Sequence, residues 1–451
     1  MAGRMQFDFN IGPAARGAQS KGRRRGPMRL LVVGDFSGRA AAERPALSGR
    51  PTQRVDLDNL DRVMARLAPR VNGALGEIEF SQLDDFHPDA LYARLDVFKA
   101  LRHARTQPPP AQGSLLGDLL GKPAAAPNPP APAQGIDAFI HSIVAPHIVA
   151  DTSAQTQSYV AAVDAATAEQ MRKLLHDPAF QALESAWRGV QWLISSLELD
   201  EHLQLHLFDA TRDELLSDIV GAQGQLAQTG LHQALADRWR NVPGGESWSA
   251  ITVLHSFGPG DADIGLLAAL GIIASQSGGP LLAGAERALA SDDAAALTGW
   301  NALRRSEAAP WIGLAAPRVL LRLPYGKGVD PISAFAFEEM VGAPAHEDLL
   351  WGNGALACTL LIGRAFTAEG WDFEPGDERE IGDLPAYTVQ RDGEPELQAC
   401  AEQYLGEQGG NALLQAGLMP LMSHRHANAV TVMRFQSVAE PAAPLAGLGP
   451  Q

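Results

Sequence analysis

The stretch that most restricts the fold is Leu174–Ile194, LLHDPAFQALESAWRGVQWLI. Asp177 is suited to cap a helix, and Pro178 fits the first helical position, where its missing N–H costs nothing. Phe180, Leu183, Trp187, Val190 and Ile194 follow at alternating steps of three and four, so a helix gathers them into one apolar stripe. Glu184 and Arg188 stand one turn apart and can pair on the helix surface. Gly189 inside such a helix costs about 1 kcal/mol against alanine, which points to close packing at that position. From the residues alone this is an amphipathic core helix.

The remaining chain is long enough to give that helix a core. It has 451 residues, enough for two or three domains, with ordinary shares of apolar (46%) and charged (20%) residues. The formal net charge of −16 argues against general nucleic-acid binding through phosphate neutralisation. Two cysteines, Cys358 and Cys400, exclude a disulfide framework and a Cys-rich zinc site, and fit a reducing compartment. Neither an apolar signal region nor a transmembrane-length apolar run is present. The expectation is a cytoplasmic protein without membrane insertion.

Met5–Ile11 alternates apolar and polar residues like a half-buried strand, with Phe7, Phe9 and Ile11 on one face. A basic stretch follows, with Lys21, Arg23, Arg24 and Arg25, and reads as a solvated linker. A strand so isolated is expected to join a sheet edge elsewhere, on another copy or on its own chain. Met28–Gly34 is a buried-type strand ending in the turn Asp35-Phe36-Ser37-Gly38, with no phosphate-loop glycine pattern. Arg54–Leu57 reads as a strand, and a helix capped by Asp58 runs to Leu67 with Leu60, Val63, Met64 and Leu67 on one face. Glu77–Phe80 is a short strand. Asp84, Asp85, His87 and Asp89 then lead into a helix reaching about Arg105, and serve its acidic start better than a metal.

Residues 106–135 have the Pro/Ala-rich composition of a linker. Within them Leu115, Leu116, Leu119 and Leu120 share one helical face behind a possible cap at Ser114, a stripe suited to a partner's groove. Beyond Ile136, strands at Leu203–Phe208, Ala250–Leu254 and Gly278–Leu282 alternate with helices. One of these opens on a Thr211/Glu214 capping box, one reaches Trp239, and one spans Ile264–Ser275. The fold class expected is mixed α/β: two α/β blocks packed together and joined by the linker.

Several of these segments resemble one family. HDPAFQALESAWRG is similar to the HPEFQ-LESAWRGL segment of the large contractile-sheath subunit of type VI secretion systems (TssC, or VipB). Trp300 to Glu307, the run Pro317–Gly326, Leu350-Trp351-Gly352-Asn353, Asp383-Leu384-Pro385, Gly417–Leu421 and Gln436-Ser437-Val438 continue that pattern in order. VVGDFSGR, DLDNLDRVMARLAPRV and SQLDDFHPD resemble the small sheath subunit (TssB, or VipA). The chain is thus expected to be a small-subunit segment (1–105) fused through a linker (106–135) to a large-subunit segment (136–440), with a flexible tail at 441–451.

The resemblance implies a contractile-sheath-like fold and a structural component of the sheath, assembling around an inner tube and driving delivery by contraction. The implied partners are itself or other sheath subunits, the inner tube protein and the baseplate. A disassembly AAA+ ATPase (ClpV-like) would dock on 114–120. No cofactor, metal, catalytic residue or nucleic acid is implied. In the family the small subunit closes with helices beyond the point matching Arg105, and the large subunit continues past the point matching Val438. A specialised or minimal component, or a non-polymerising cap, is therefore also expected. An α/β enzyme is the alternative of another class, but G-x-S-x-G, H-E-x-x-H and C-x-x-C are absent, and His424-Arg425-His426 suits a surface turn. Arg318 and Arg322 stand one helical turn's spacing apart in an apolar stretch and need carboxylates, which neighbouring copies would supply. Glu307 joins them as an interface candidate.

Overall fold

A computed structural model describes residues 26–73, 75–106, 155–342, 345–391, 394–424 and 427–448. The Met5–Ile11 strand with Phe7, Phe9 and Ile11, the Ser114–Leu120 helix with its four leucines, the linker, and Arg425 and His426 lie outside the described residues. The chain divides into two compact units: residues 1–69, 185–322 and 350–451, and residues 70–184 with 323–349. Each unit draws on both sequence segments.

The first unit is built on a sheet of nine strands: β1 (Met28–Gly34), β2 (Gln53–Val55), β3 (Leu203–Asp209), β4 (Ala250–Phe257), β5 (Leu281–Ala285), β6 (Ile312–Ala316), β7 (Glu380–Ile381), β8 (Met419–Ser423) and β9 (Val430–Val432). Their spatial order is β7-β9-β8-β6-β5-β4-β1-β3-β2. The six strands from β3 to β8 in this order are parallel, and β2, β9 and β7 are antiparallel to their neighbours. The mixed α/β architecture expected from the sequence is present, and the two segments share one sheet. β1, from the small-subunit-like segment, pairs along all seven residues with β3, from Met28↔Leu203 to Gly34↔Asp209, and on its other side with β4.

Both faces of this sheet are covered, which is why β1 reads as a continuous apolar run instead of an alternating one. Leu31 and Val33 of β1 join Ile251, Val253, Leu281 and Leu314 in one core with helix Asp261–Ser277. Side chains of the opposite parity face helix Ala355–Glu369, where Thr252 and Thr359 share a 2.6 Å hydroxyl hydrogen bond. The helix foreseen first is formed as Pro178–Ser196. Asp177 caps it, its Oδ1 accepting from the N–H groups of Ala179 and Phe180 at 2.9 and 3.1 Å. All five residues of its stripe are buried. A Cβ on Gly189 would stand 2.6 Å from Cδ1 of Leu356, so the glycine does permit close packing.

The second unit holds a hairpin of Arg70–Gly73 with Gly76–Glu79, helices Pro88–Arg94, Asp96–Thr106 and Gln155–Leu175, and the first turns of Pro178–Ser196. Phe80, Phe86 and Phe180 form an aromatic centre, with Phe80 and Phe86 stacked at 4.1 Å. The acidic run here serves the backbone: Asp85 accepts from the N–H groups of Ser81 and Gln82, and Asp89 from those of Ser333 and Ala334.

Local boundaries differ from expectation for identifiable reasons. The helix expected up to Arg105 breaks at Leu95, which adopts extended φ/ψ, and Asp96 starts a new one. The Leu60–Leu67 helix has Asn59, not Asp58, at its cap position. The helix expected to reach Trp239 is one α-turn at Gly230–His232 followed by a π-turn at Gln233–Asp237. β5 begins at Leu281, because Gly278 is the left-handed cap (φ 106°) of the preceding helix.

Candidate functional site

A cluster of buried and partly buried polar side chains lies at the carboxyl end of β1, within the first unit. The turn Asp35-Phe36-Ser37-Gly38 leaves backbone donors that no strand can satisfy. Asp209, the last residue of β3, takes two of them: Oδ1 accepts from Phe36 N–H at 2.8 Å and Ser37 N–H at 3.0 Å, and Oδ2 accepts from the Ser37 hydroxyl at 2.8 Å. The Phe36 carbonyl accepts from Nε1 of Trp187 at 2.9 Å, and the two rings meet edge to face at 5.4 Å.

Two buried arginines complete the latch. Arg44 is 8% exposed and reaches Asp35 at 2.6 Å, with Asp209 and Glu214 each at 3.4 Å. Arg50 is 6% exposed, donates to the Asp209 carbonyl at 2.7 Å and forks onto both carboxylate oxygens of Glu214. Glu214 is also half of the Thr211 capping box that starts helix Arg212–Gly221. Its burial raises its pKa, but hydrogen bonds from Arg50 and Thr211 and the charges of Arg44 and Arg50 outweigh that and hold it below the usual range. Buried guanidinium groups are tolerable only when paired in this way. The arginines come from the small-subunit-like segment and the carboxylates of Asp209 and Glu214 from the other, so the cluster binds the two together.

Among the parallel strands β1, β3, β4, β5 and β6, the spatial order β3-β1-β4-β5-β6 reverses direction between β1 and β4, where doubly wound sheets bind ligands. A crevice of about 250 Å³ lies there, lined in part by Gly34, Asp35, Thr211, Arg212 and His255. Carboxylates near the two helix starts beside it are engaged within the chain. Glu214 caps one helix, and Asp263, near the start of the other, accepts from Arg212 Nε at 3.0 Å and Gly258 N–H at 3.0 Å. His255 is also held, its Nε2 lying 3.2 Å from Arg212 Nε. Among the described residues no group of three or more His, Cys, Asp or Glu side chains is disposed to hold a metal ion.

A second cleft, of about 420 Å³, opens beyond the ends of β4, β5 and β6, lined in part by Ser256, Glu286, Arg318, Glu402 and Leu413. Here Arg318 meets Glu402 in a two-pronged pair, Nε at 2.9 Å and a terminal nitrogen at 2.7 Å. The carboxylate expected from a neighbouring copy is thus supplied to Arg318 by its own chain. Arg322 is 8% exposed, and Glu307 is exposed in the turn before β6. Of the three, Arg318 lines this cleft, and Glu307 and Arg322 do not. His424 is exposed, with Nε2 2.8 Å from the Thr431 hydroxyl. Asp209, Arg44, Arg50 and Asp35 were not anticipated. Their only trace in the sequence is two arginines in Pro/Ala-rich loops without a carboxylate four residues away. No helix among the described residues is long and apolar enough to cross a membrane.

Comparison with known proteins accounts for this joining of two segments. Residues 157–439 match the family described as EvpB/VC_A0108, tail sheath N-terminal domain. Residues 13–124 match the family described as type VI secretion system, VipA, VC_A0107 or Hcp2. Among curated proteins, the chain is 29% identical over 315 residues to the type VI secretion system sheath protein TssC1 of Pseudomonas aeruginosa, covering 65% of this chain and 63% of that protein. It is 31% identical over 117 residues to sheath protein TssB1 of the same organism, covering 24% of this chain and 66% of that one. The chain therefore spans a little under two thirds of either relative's own length. With a family match across more than half its length and a small-subunit match ahead of it, the chain belongs to the EvpB/VipB tail sheath family, carrying a VipA-type segment fused in front.

Proposed function

We propose that the protein is a structural component of a type VI contractile sheath, in which one chain supplies both the small-subunit and the large-subunit parts. The observation that carries this reading is the position of β1. A strand from the VipA-type segment is the inner strand between β3 and β4 of the VipB-type sheet, hydrogen-bonded on both sides. The fusion turns the association of two subunits into a folding event of one chain. Its partners on this reading are other copies or other sheath subunits, the inner tube and the baseplate, with the Ser114–Leu120 stripe offered to a disassembly AAA+ ATPase. The setting is the bacterial cytoplasm. Its role on this reading is mechanical.

The test is negative-stain microscopy of the purified protein, alone and with separately expressed small and large subunits. Tubes or rings are expected. Particles seated only at the ends of sheaths made by the other subunits would identify a cap. Uniform monomers in every mixture would overturn the proposal.

A further inference from the structure

The cleft beyond the carboxyl ends of β4, β5 and β6 offers about 420 Å³, the size of pockets that seat small organic molecules. Its apolar lining includes Leu405 and Leu413, at 7% and 5% exposure, beside Ala316 and Ala412. Helix Glu407–Gln415 forms one wall and presents Gly409 and Ala412 to the space. Neither backbone nor packing requires a glycine at 409. Its φ is not positive, and a Cβ there would meet only Leu405, at an ordinary 3.5 Å. Glycine weakens a helix, so what this one provides is open space. On the sheet side, the pairing of β4 with β5 shifts between Val253 and Ser256. Irregularities of this kind re-aim side chains, and Ser256 lines the cleft with its hydroxyl in no hydrogen bond among the described residues. Gly284 of β5 leaves room for it, since a Cβ there would stand 2.6 Å from Ser256 Oγ. Charge at the rim is uneven. Arg318 is neutralised by Glu402, whereas Arg287, exposed, has no carboxylate partner among the described residues. Its Nη1 donates to the Gln403 side-chain oxygen at 3.2 Å, which leaves further guanidinium donors for a ligand. Glu286 also lines the cleft, with its Oε2 lying against Gly258.

We propose that this cleft binds a small amphipathic carboxylate, with its apolar body against Leu405, Ala412 and Leu413 and its carboxylate on Arg287. A guanidinium with donors to spare matches a carboxylate, and an apolar lining with a few placed polar groups is the general form of a small-molecule site. A cationic ligand would meet two arginines at the rim. An uncharged apolar one would leave Arg287 and the Ser256 hydroxyl unanswered. The bound molecule would join helix Glu407–Gln415 to the turn after β5, and its binding free energy would add to the stability of the first unit.

The experiment is calorimetric titration of the full chain with naphthalene-2-carboxylate and with its uncharged counterpart, naphthalene-2-carboxamide. One molecule per chain is expected, with the carboxylate bound about two- to fivefold more tightly than the amide, the worth of one exposed ion pair. Arg287→Gln should remove that preference. Gly409→Leu should abolish binding of both compounds by filling the cleft, with a melting temperature no lower than the parent's, because leucine is the better helix former. Ala412→Leu, one turn further along the same wall, fills the same space and replaces Gly409→Leu if that variant melts lower. No binding of either compound, equal affinity for the two, a preference that survives Arg287→Gln, or full affinity in a filled variant that folds would each overturn the proposal.

Discussion

His206 sits on β3, opposite Leu31 of β1 and Arg54 of β2, so it lies where the two segments meet. It is 5% exposed, its Nδ1 has no hydrogen-bond partner among the described residues, and it faces the rings of Trp239 and Trp248. Burial lowers its pKa from 6.5 to about 4, helped by the cations of Arg29 and Arg54. Below pH 6.5 the unfolded chain takes up a proton that the folded chain resists. The stability His206 contributes is therefore fully present above pH 6.5 and is lost as pH falls towards 4, on the order of 3 kcal/mol in all. Urea titrations at stepped pH should show this loss, and His206→Phe should flatten it. An unchanged slope in that variant would mean that other groups carry it. Trp187 is the other decisive residue, with no exposed surface and its N–H on the Phe36 carbonyl. Trp187→Ala should cost about 3–5 kcal/mol, read as a lower urea midpoint. Trp187→Phe should cost about 1–3 kcal/mol, for the carbonyl left without its donor. Equal losses in the two variants would show that the hydrogen bond, not the ring, matters.

Between elements, the close approach of helix Pro178–Ser196 to helix Ala355–Glu369 rests on Gly189. The nearest atom to a Cβ there is the far end of the Leu356 side chain, which can rotate away. Gly189→Ala also recovers about 1 kcal/mol of helix propensity, so the two effects should nearly cancel. Gly189→Ile demands more volume than a leucine rotamer can yield and should cost about 1–3 kcal/mol. Thermal melting of the pair checks this, and two equal melting temperatures would show that the helices are not tightly packed there. The stripe, the cap and the glycine of this helix were all legible in sequence, because each depends on residues within a few turns. The break at Leu95 and the π-turn at Gln233–Asp237 were not, since a one-residue change of backbone leaves the apolar spacing nearly intact.

At the scale of the whole molecule, β1 decides how the segments behave if the linker is cut. Removing the VipA-type segment would strip an inner strand bonded on both sides and expose Leu30, Leu31, Val32 and Val33, all at 1% exposure or less. Limited proteolysis within residues 106–135 should therefore give two fragments that co-elute in native buffer and part only in denaturant. Fragments that separate on native gel filtration would contradict the shared sheet as the dominant tie.

The sequence by itself determined the elements and the family. Helix stripes, caps and strand runs are local, and a long ordered series of motifs is specific. It also marked β1 as a strand buried on both faces, from MRLLVVG alone. Only the tertiary structure decided what lies on either side of β1, because a continuous apolar run carries no register and names no neighbour. The same holds for charge. Arg44 and Arg50 find Asp209 and Glu214 more than 150 residues away, and Arg318 finds Glu402 within its own chain. Pairings of that reach are set by how the chain folds back on itself, which local spacing does not encode.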